Sequence, residues 1–166
     1  MKPETMAHFC LNARVAAPDG VEIAAMVYSR GDLNMLLLHG WMCDQTYWEA
    51  QVPALSGQFG VVTVDLAGHG LSGTNRQDWT IASLAADVAA LVSELELEKV
   101  VVVGHSMGGR VALEVARLLP GTVIGVIGVY LDITERKHVE EEVQRQRQLA
   151  ETYFKTADVM MLVLDG

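Results

Sequence analysis

An α/β fold is what this sequence predicts: a mostly parallel sheet flanked by helices, with a long carboxyl-terminal helix and a last strand-like run. Three observations predict it. Short apolar runs of strand length recur at 35–38, 60–64, 100–103 and 123–129. Stretches with helical apolar spacing separate several of them. Glycine-containing turns close most of the runs. Buried strands alternating with helices form parallel β-α-β units with right-handed crossovers.

The elements follow in order. Residues 8–29 read as a β-hairpin: His8 to Val15 is strand-like, Ala17-Pro18-Asp19-Gly20 carries turn chemistry, and Val21 to Tyr28 is strand-like again. Met35-Leu36-Leu37-Leu38 is short and apolar throughout, which suits a strand buried on both faces. Residues 45–56 read as a short helix. Gly60 to Val64 is the next buried strand. Ile81, Leu84, Ala85, Val88, Leu91, Val92 and Leu95 recur at spacings of three and four, so they share one helix face. Val100 to Val103 is a third buried strand, and the helix after it ends near Leu119, where Pro120-Gly121 stops it. Val123 to Val129 is a fourth.

Composition bounds the function. The chain has 166 residues, 51% of them hydrophobic, enough for one compact domain with a core. The net charge is −9. No Lys/Arg patch stands out, so neither nucleic acid nor an anionic membrane is expected as a partner. No stretch approaches the roughly 18 apolar residues of a membrane span, and the first residues lack the apolar core of a signal peptide. Cys10 and Cys43 are too few for a disulfide framework and fit no zinc spacing. The expectation is a reduced, cytoplasmic protein with no cofactor and no metal.

One motif carries chemistry. Gly104-His105-Ser106-Met107-Gly108 matches G-x-S-x-G and lies between a buried strand and a helix, the context the motif requires. Ser106 would sit on a sharp strand-to-helix turn with its hydroxyl clear of the backbone. Glycine two positions before and after avoids clashes there. The following helix aims its first amides and its dipole at the place where negative charge develops.

With His39-Gly40-Trp41, Asp65-Leu66-Ala67-Gly68-His69-Gly70 and Gly104-His105-Ser106-Met107-Gly108-Gly109 in this order, the sequence resembles the α/β-hydrolase superfamily, especially its esterase, lipase and perhydrolase-like members. The resemblance covers about residues 10–129 and implies a truncated α/β-hydrolase fold. It implies Ser106 as the catalytic nucleophile, with the backbone amides of Trp41 and Met107 as oxyanion donors. His39, Gly40 and His105 are placed beside the substrate; for His39, His69 and His105 the alternative is a packing or turn-bonding role. Asp65, Gly68 and His69 belong to a loop that such proteins use for structure near the site.

The family's order is Ser, then Asp or Glu, then His, and here the pattern breaks. After Ser106 the only histidine is His138. Residues 130–137 resemble the ending of PAS sensor domains, the following helix resembles their signalling linker, and 157–166 resembles the opening of a further PAS domain. The reading is therefore a partial hydrolase core over 1–129 and a PAS-derived linker helix and tail over 130–166, as in a fusion. Val139, Val143, Ala150, Tyr153 and Ala157 make a coiled-coil-like seam, or equally the half-buried stripe of a surface helix. If Val159 to Leu164 adds a strand, His138 is the candidate base; Asp132 and Asp165 are the candidate acids, with Asp165 near where the family places its own; the alternative for His138 is a solvated helix residue. The functional expectation is a serine-dependent hydrolase of small activated acyl esters. The other reading is a catalytically poor or inactive chimeric module. In either case a homo-oligomer is expected, with the tail packed on its own core or swapped between chains.

Overall fold

A computed structural model describes residues 10–129 and 143–148. The chain divides into two compact units after Tyr130. In the second, residues 143–148 are helical. No helix among the described residues is long and apolar enough to cross a membrane.

The first unit is a six-stranded sheet in the order β1-β2-β4-β3-β5-β6. β1 (Leu11–Ala16) and β2 (Glu22–Ser29) form the expected antiparallel hairpin. Its turn closes by a 2.8 Å bond from the Gly20 amide to the Ala17 carbonyl, with Gly20 at φ 86°, a conformation glycine enters without steric cost. β3 (Asn34–Leu38), β4 (Gly60–Val64), β5 (Val100–His105) and β6 (Val123–Val129) are the four apolar runs, and all neighbouring pairs among them are parallel. β2 joins them antiparallel to β4.

Side chains alternate between the two faces, as the strand period of two requires. Leu36, Leu38, Val62, Val64, Val100 and Val102 enter the larger core, with α2 (Ile81–Glu94) and α3 (Met107–Leu118). Leu37, Val61 and Val103 point the other way, against Trp48 and Val52. Each fully buried leucine contributes about 1.5–3 kcal/mol by leaving water. The predicted face of α2 is the buried one: Leu84, Ala85, Val88, Leu91 and Val92 are all in the core. Thr80 caps the helix by accepting from the Ser83 amide.

The stretch 45–56 is not one helix. It is a 3-10 turn at Gln45–Trp48 followed by a single helical turn, α1 (Val52–Leu55). Pro53 lies in the first turn of α1 and supplies no amide to bond back towards Gln45–Trp48, so the two turns do not join into one helix. Among the described residues β6 is the last strand on that side of the sheet, and Ile124, Ile127 and Val129 are exposed there.

β3 lies between β4 and β5, so the chain leaves it to opposite sides. That is a topological switch point, and its carboxyl end is where open α/β sheets build their sites. Leu38 pairs with both Val64 and Gly104. The loops after β3, β4 and β5 therefore emerge side by side.

Candidate active site

The sharpest feature at this edge is the turn after β5. Ser106 is exposed and has φ 51° and ψ −112°. A non-glycine residue held there costs about 1–3 kcal/mol of backbone strain. Surrounding contacts impose it: the Ser106 amide donates to the Val129 carbonyl at 3.0 Å, and its carbonyl accepts from the Gly109 amide at 3.0 Å. Both motif glycines are sterically required. A Cβ on Gly108 would stand 2.5 Å from the carbonyl oxygens of Leu38 and His39, and one on Gly104 would overlap the Gly108 backbone. α3 starts at Met107, and the Ser106 side chain does not cap it. The hydroxyl therefore has no protein partner among the described residues.

The loop after β3 faces the same turn. Gly40 presses on His105, where a Cβ would lie 2.7 Å from the ring Nδ1. Tyr47 stacks on that ring, 4.5 Å between centroids and 19° from parallel. His105 Nδ1 is buried and makes no hydrogen bond. The backbone amides of Trp41 and Met107 donate to no carbonyl among the described residues.

His39 does not reach a substrate position. It is fully buried, with Nδ1 2.8 Å from the Gly40 carbonyl and Nε2 accepting from the Leu66 amide at 3.1 Å. A carbonyl only accepts, so Nδ1 carries the proton and the ring is neutral. Burial holds its pKa below the ordinary value. Its role is to tie the β3 loop to the β4 loop, the packing alternative that its motif position also allowed.

Asp65 organises the β4 loop. Its carboxylate is buried and accepts from the Gln45 amide at 2.7 Å, from the Gln45 side chain at 3.2 Å and from the Leu71 amide at 2.9 Å. Its own carbonyl accepts from Ser72 Oγ at 2.5 Å. Two separate segments, at Gln45 and at Leu71-Ser72, are fixed by this one residue. Beside it opens a cleft of about 690 Å³, lined among others by Trp41, Met42, Asp44, His69, Thr74 and Trp79. Ser106 is not among its lining residues; Trp41 is the link between cleft and elbow.

Sequence reasoning missed the clasp behind the cleft. Arg76 is buried and grips Asp87 with two bonds of 2.5 and 2.8 Å, while its Nε and Nη2 reach Asp19 at 2.9 and 2.7 Å. The signal was present: Asp87 interrupts the apolar face of α2, and a buried acid needs a partner. Among the described residues, no three metal-ligating side chains converge. His138 and Asp165 lie outside the described residues, as do residues 130–137 with their PAS-like sequence.

This order of strands and loops has known counterparts. A family model for the alpha/beta hydrolase family matches residues 35–157. The chain belongs to that family. The match runs past residue 129 into the stretch read from sequence as PAS-like. Among solved structures, epoxide hydrolase CorEH is 31% identical with a TM-score of 0.68, over 72% of this chain and 42% of that one. A thermophilic esterase from Thermogutta terrifontis is 34% identical with a TM-score of 0.65, over 71% and 44%. A pimeloyl-[acyl-carrier protein] methyl ester esterase from Yersinia pseudotuberculosis is 37% identical over 99 residues, 60% of this chain and 36% of the relative. The chain thus spans less than half the length of each of these hydrolases.

Proposed function

We propose that the chain carries the nucleophile half of a serine ester hydrolase acting on small activated acyl esters. The observation that carries the reading is Ser106: an exposed hydroxyl, free of protein partners among the described residues, on a strained turn at the switch-point edge. Its oxygen attacks the ester carbonyl. The Trp41 and Met107 amides, both without backbone acceptors among the described residues, stabilise the oxyanion; it collapses to an acyl-serine as the ester C–O bond breaks and the alcohol leaves with the serine proton, and water then cleaves the acyl–serine bond, giving the free acid and restoring the hydroxyl. A serine hydroxyl needs a base to be fully activated. His138 is the proposed base and Asp165 the proposed acid, since no other histidine follows Ser106. An oxyanion hole and binding alone still leave about 10³–10⁴-fold acceleration over water when a triad is incomplete.

The test is burst kinetics with an activated aryl ester and a serine-directed phosphonate label. Turnover and labelling are expected in the parent chain and neither in Ser106→Ala. Turnover that survives Ser106→Ala places the nucleophile elsewhere. Undiminished rates in both His138→Ala and Asp165→Asn remove those two residues from the mechanism.

A second reading is favoured by β6. Ile124 and Ile127 are 60% and 48% exposed on an edge strand, and such edges invite pairing. On this reading the chain is a hydrolase-derived scaffold joined to a PAS-like linker, and it self-associates. Light scattering at micromolar concentration should then give at least a dimer; a monomer mass counts against it.

A further inference from the structure

The cleft beside the Trp41 loop has a ligand preference of its own. Its volume of about 690 Å³ suits a small organic molecule. Two indoles supply aromatic surface, Trp41 at 67% exposure and Trp79 at 46%. Both are positioned by contacts. Trp41 meets the His69 ring edge-on, 5.4 Å between centroids. Trp79 covers Gly68 so closely that a Cβ there would lie 2.6 Å from the indole. The Arg76 guanidinium, itself locked by Asp87 and Asp19, sits 6.0 Å from the Trp79 ring centroid.

Two side chains of the cleft, His69 and Asp44, can offer acceptors. His69 Nδ1 lies 3.1 Å from the Ala67 carbonyl. That contact puts a proton on Nδ1, and in the tautomer carrying that proton alone Nε2 is a lone-pair acceptor. Nε2 has no protein partner among the described residues. Asp44 Oδ1 accepts from the Thr46 hydroxyl and amide. These bonds, the hydroxyl first, hold the Asp44 carboxyl below its ordinary pKa, so it is ionised at neutral pH. Its Oδ2 has no hydrogen-bond partner among the described residues. The chain's net charge of −9 has the same sign.

We propose that this cleft binds a flat aromatic group that is uncharged or cationic and bears a hydrogen-bond donor, and that it rejects anionic aromatics. His69 Nε2 and the Asp44 carboxylate are the acceptors, and the Trp41 and Trp79 indoles are the apolar surface. The inference deepens the ester-hydrolase reading and rests on it for one point only, that the aromatic group adjoins the scissile carbonyl. Trp41 makes the connection, with its indole in the cleft and its amide in the loop beside Ser106.

The experiment uses the full chain carrying Ser106→Ala and follows tryptophan indole N–H signals by NMR. It is titrated with tyramine and with 4-hydroxyphenylacetate, which share the phenol ring and differ in the sign of charge. Tyramine should shift the Trp41 and Trp79 signals, leave that of buried Trp48 in place, and bind at least about tenfold tighter than the acid, about 1.4 kcal/mol. Trp79→Ala should weaken tyramine about tenfold. His69→Phe should weaken it several-fold, and His69→Gln, with an acceptor near the Nε2 position, should restore it. An unshifted Trp48 signal in each variant reports an intact fold. Equal affinity for both probes, or tyramine binding indifferent to Trp79→Ala, overturns the proposal. Failure of the nucleophile assignment shows separately, as hydrolysis that persists in Ser106→Ala while these titrations are unchanged.

Discussion

The loops after β4 and β5 leave adjoining parts of one sheet edge and are built on opposite principles. The β4 loop is held by satisfied polar groups. Asp65 alone takes up two backbone amides and a side-chain amide, and His39 takes up a third backbone amide. The β5 turn is held by exclusion. Gly104 and Gly108 let two backbones meet where any side chain would collide, and Ser106 is forced to a positive φ. The difference separates wall from reagent. A loop whose donors and acceptors are spent on each other makes a rigid wall. A turn held largely by shape leaves the Ser106 hydroxyl and the Met107 amide without protein partners among the described residues.

Four substitutions or conditions break or sharpen this contrast. Gly108→Ala should act most strongly. Its methyl would meet two carbonyl oxygens of the backbone, with no flexible side chain to yield. The loss should be about 3 kcal/mol or more, at the upper end of single substitutions, seen as a collapsed urea midpoint or failure to fold. Asp65→Asn comes next. It sets an amide donor against the donors of Gln45 and Leu71, at a cost of about 2–3 kcal/mol, read by urea denaturation. Retention of parent stability would mean that polar satisfaction does not hold the β4 loop.

The third is pH. The pKa of His39 is depressed by burial from an ordinary value of 6.5. Below that value the unfolded chain takes up a proton that the folded chain refuses. This contribution to stability is complete above about pH 6.5 and falls by up to about 1.4 kcal/mol per pH unit towards the depressed folded value. Urea midpoints at pH 7.5 and 5.5 should show the loss, and His39→Gln should flatten it. The smallest effect has the opposite sign. Ser106→Gly relieves the strained φ and should stabilise by about 1 kcal/mol after the added chain entropy of glycine, while ester turnover disappears. A destabilised Ser106→Gly would show that the elbow is not under strain.

Much of the fold was legible because its signals are local. The four apolar runs became β3 to β6, and the spacing of Leu84, Val88 and Leu91 gave the buried face of α2. The elbow was legible because steric need writes glycine into the sequence at fixed offsets. Residues 45–56 read from sequence as one helix but form a 3-10 turn and a separate helical turn. The Arg76 clasp escaped because its partners are far apart in sequence, although Asp87 within an apolar face marked one end of it. His39 was placed beside the substrate when its two ring nitrogens are spent inside the protein, and nothing in a His-Gly-Trp triplet distinguishes those two uses.

The sequence by itself determined the period of each element, the positions where only glycine fits, and the serine that must stand on a tight turn. Those follow from the sterics of neighbouring residues. Only the tertiary structure decided which polar groups are spent and which remain. Hydrogen-bond partners such as Asp65 with Leu71, His39 with Leu66 and Arg76 with Asp19 meet across loops, strands and helices. Pairing at that range depends on where the sheet brings its loops, and no local pattern of residues encodes it.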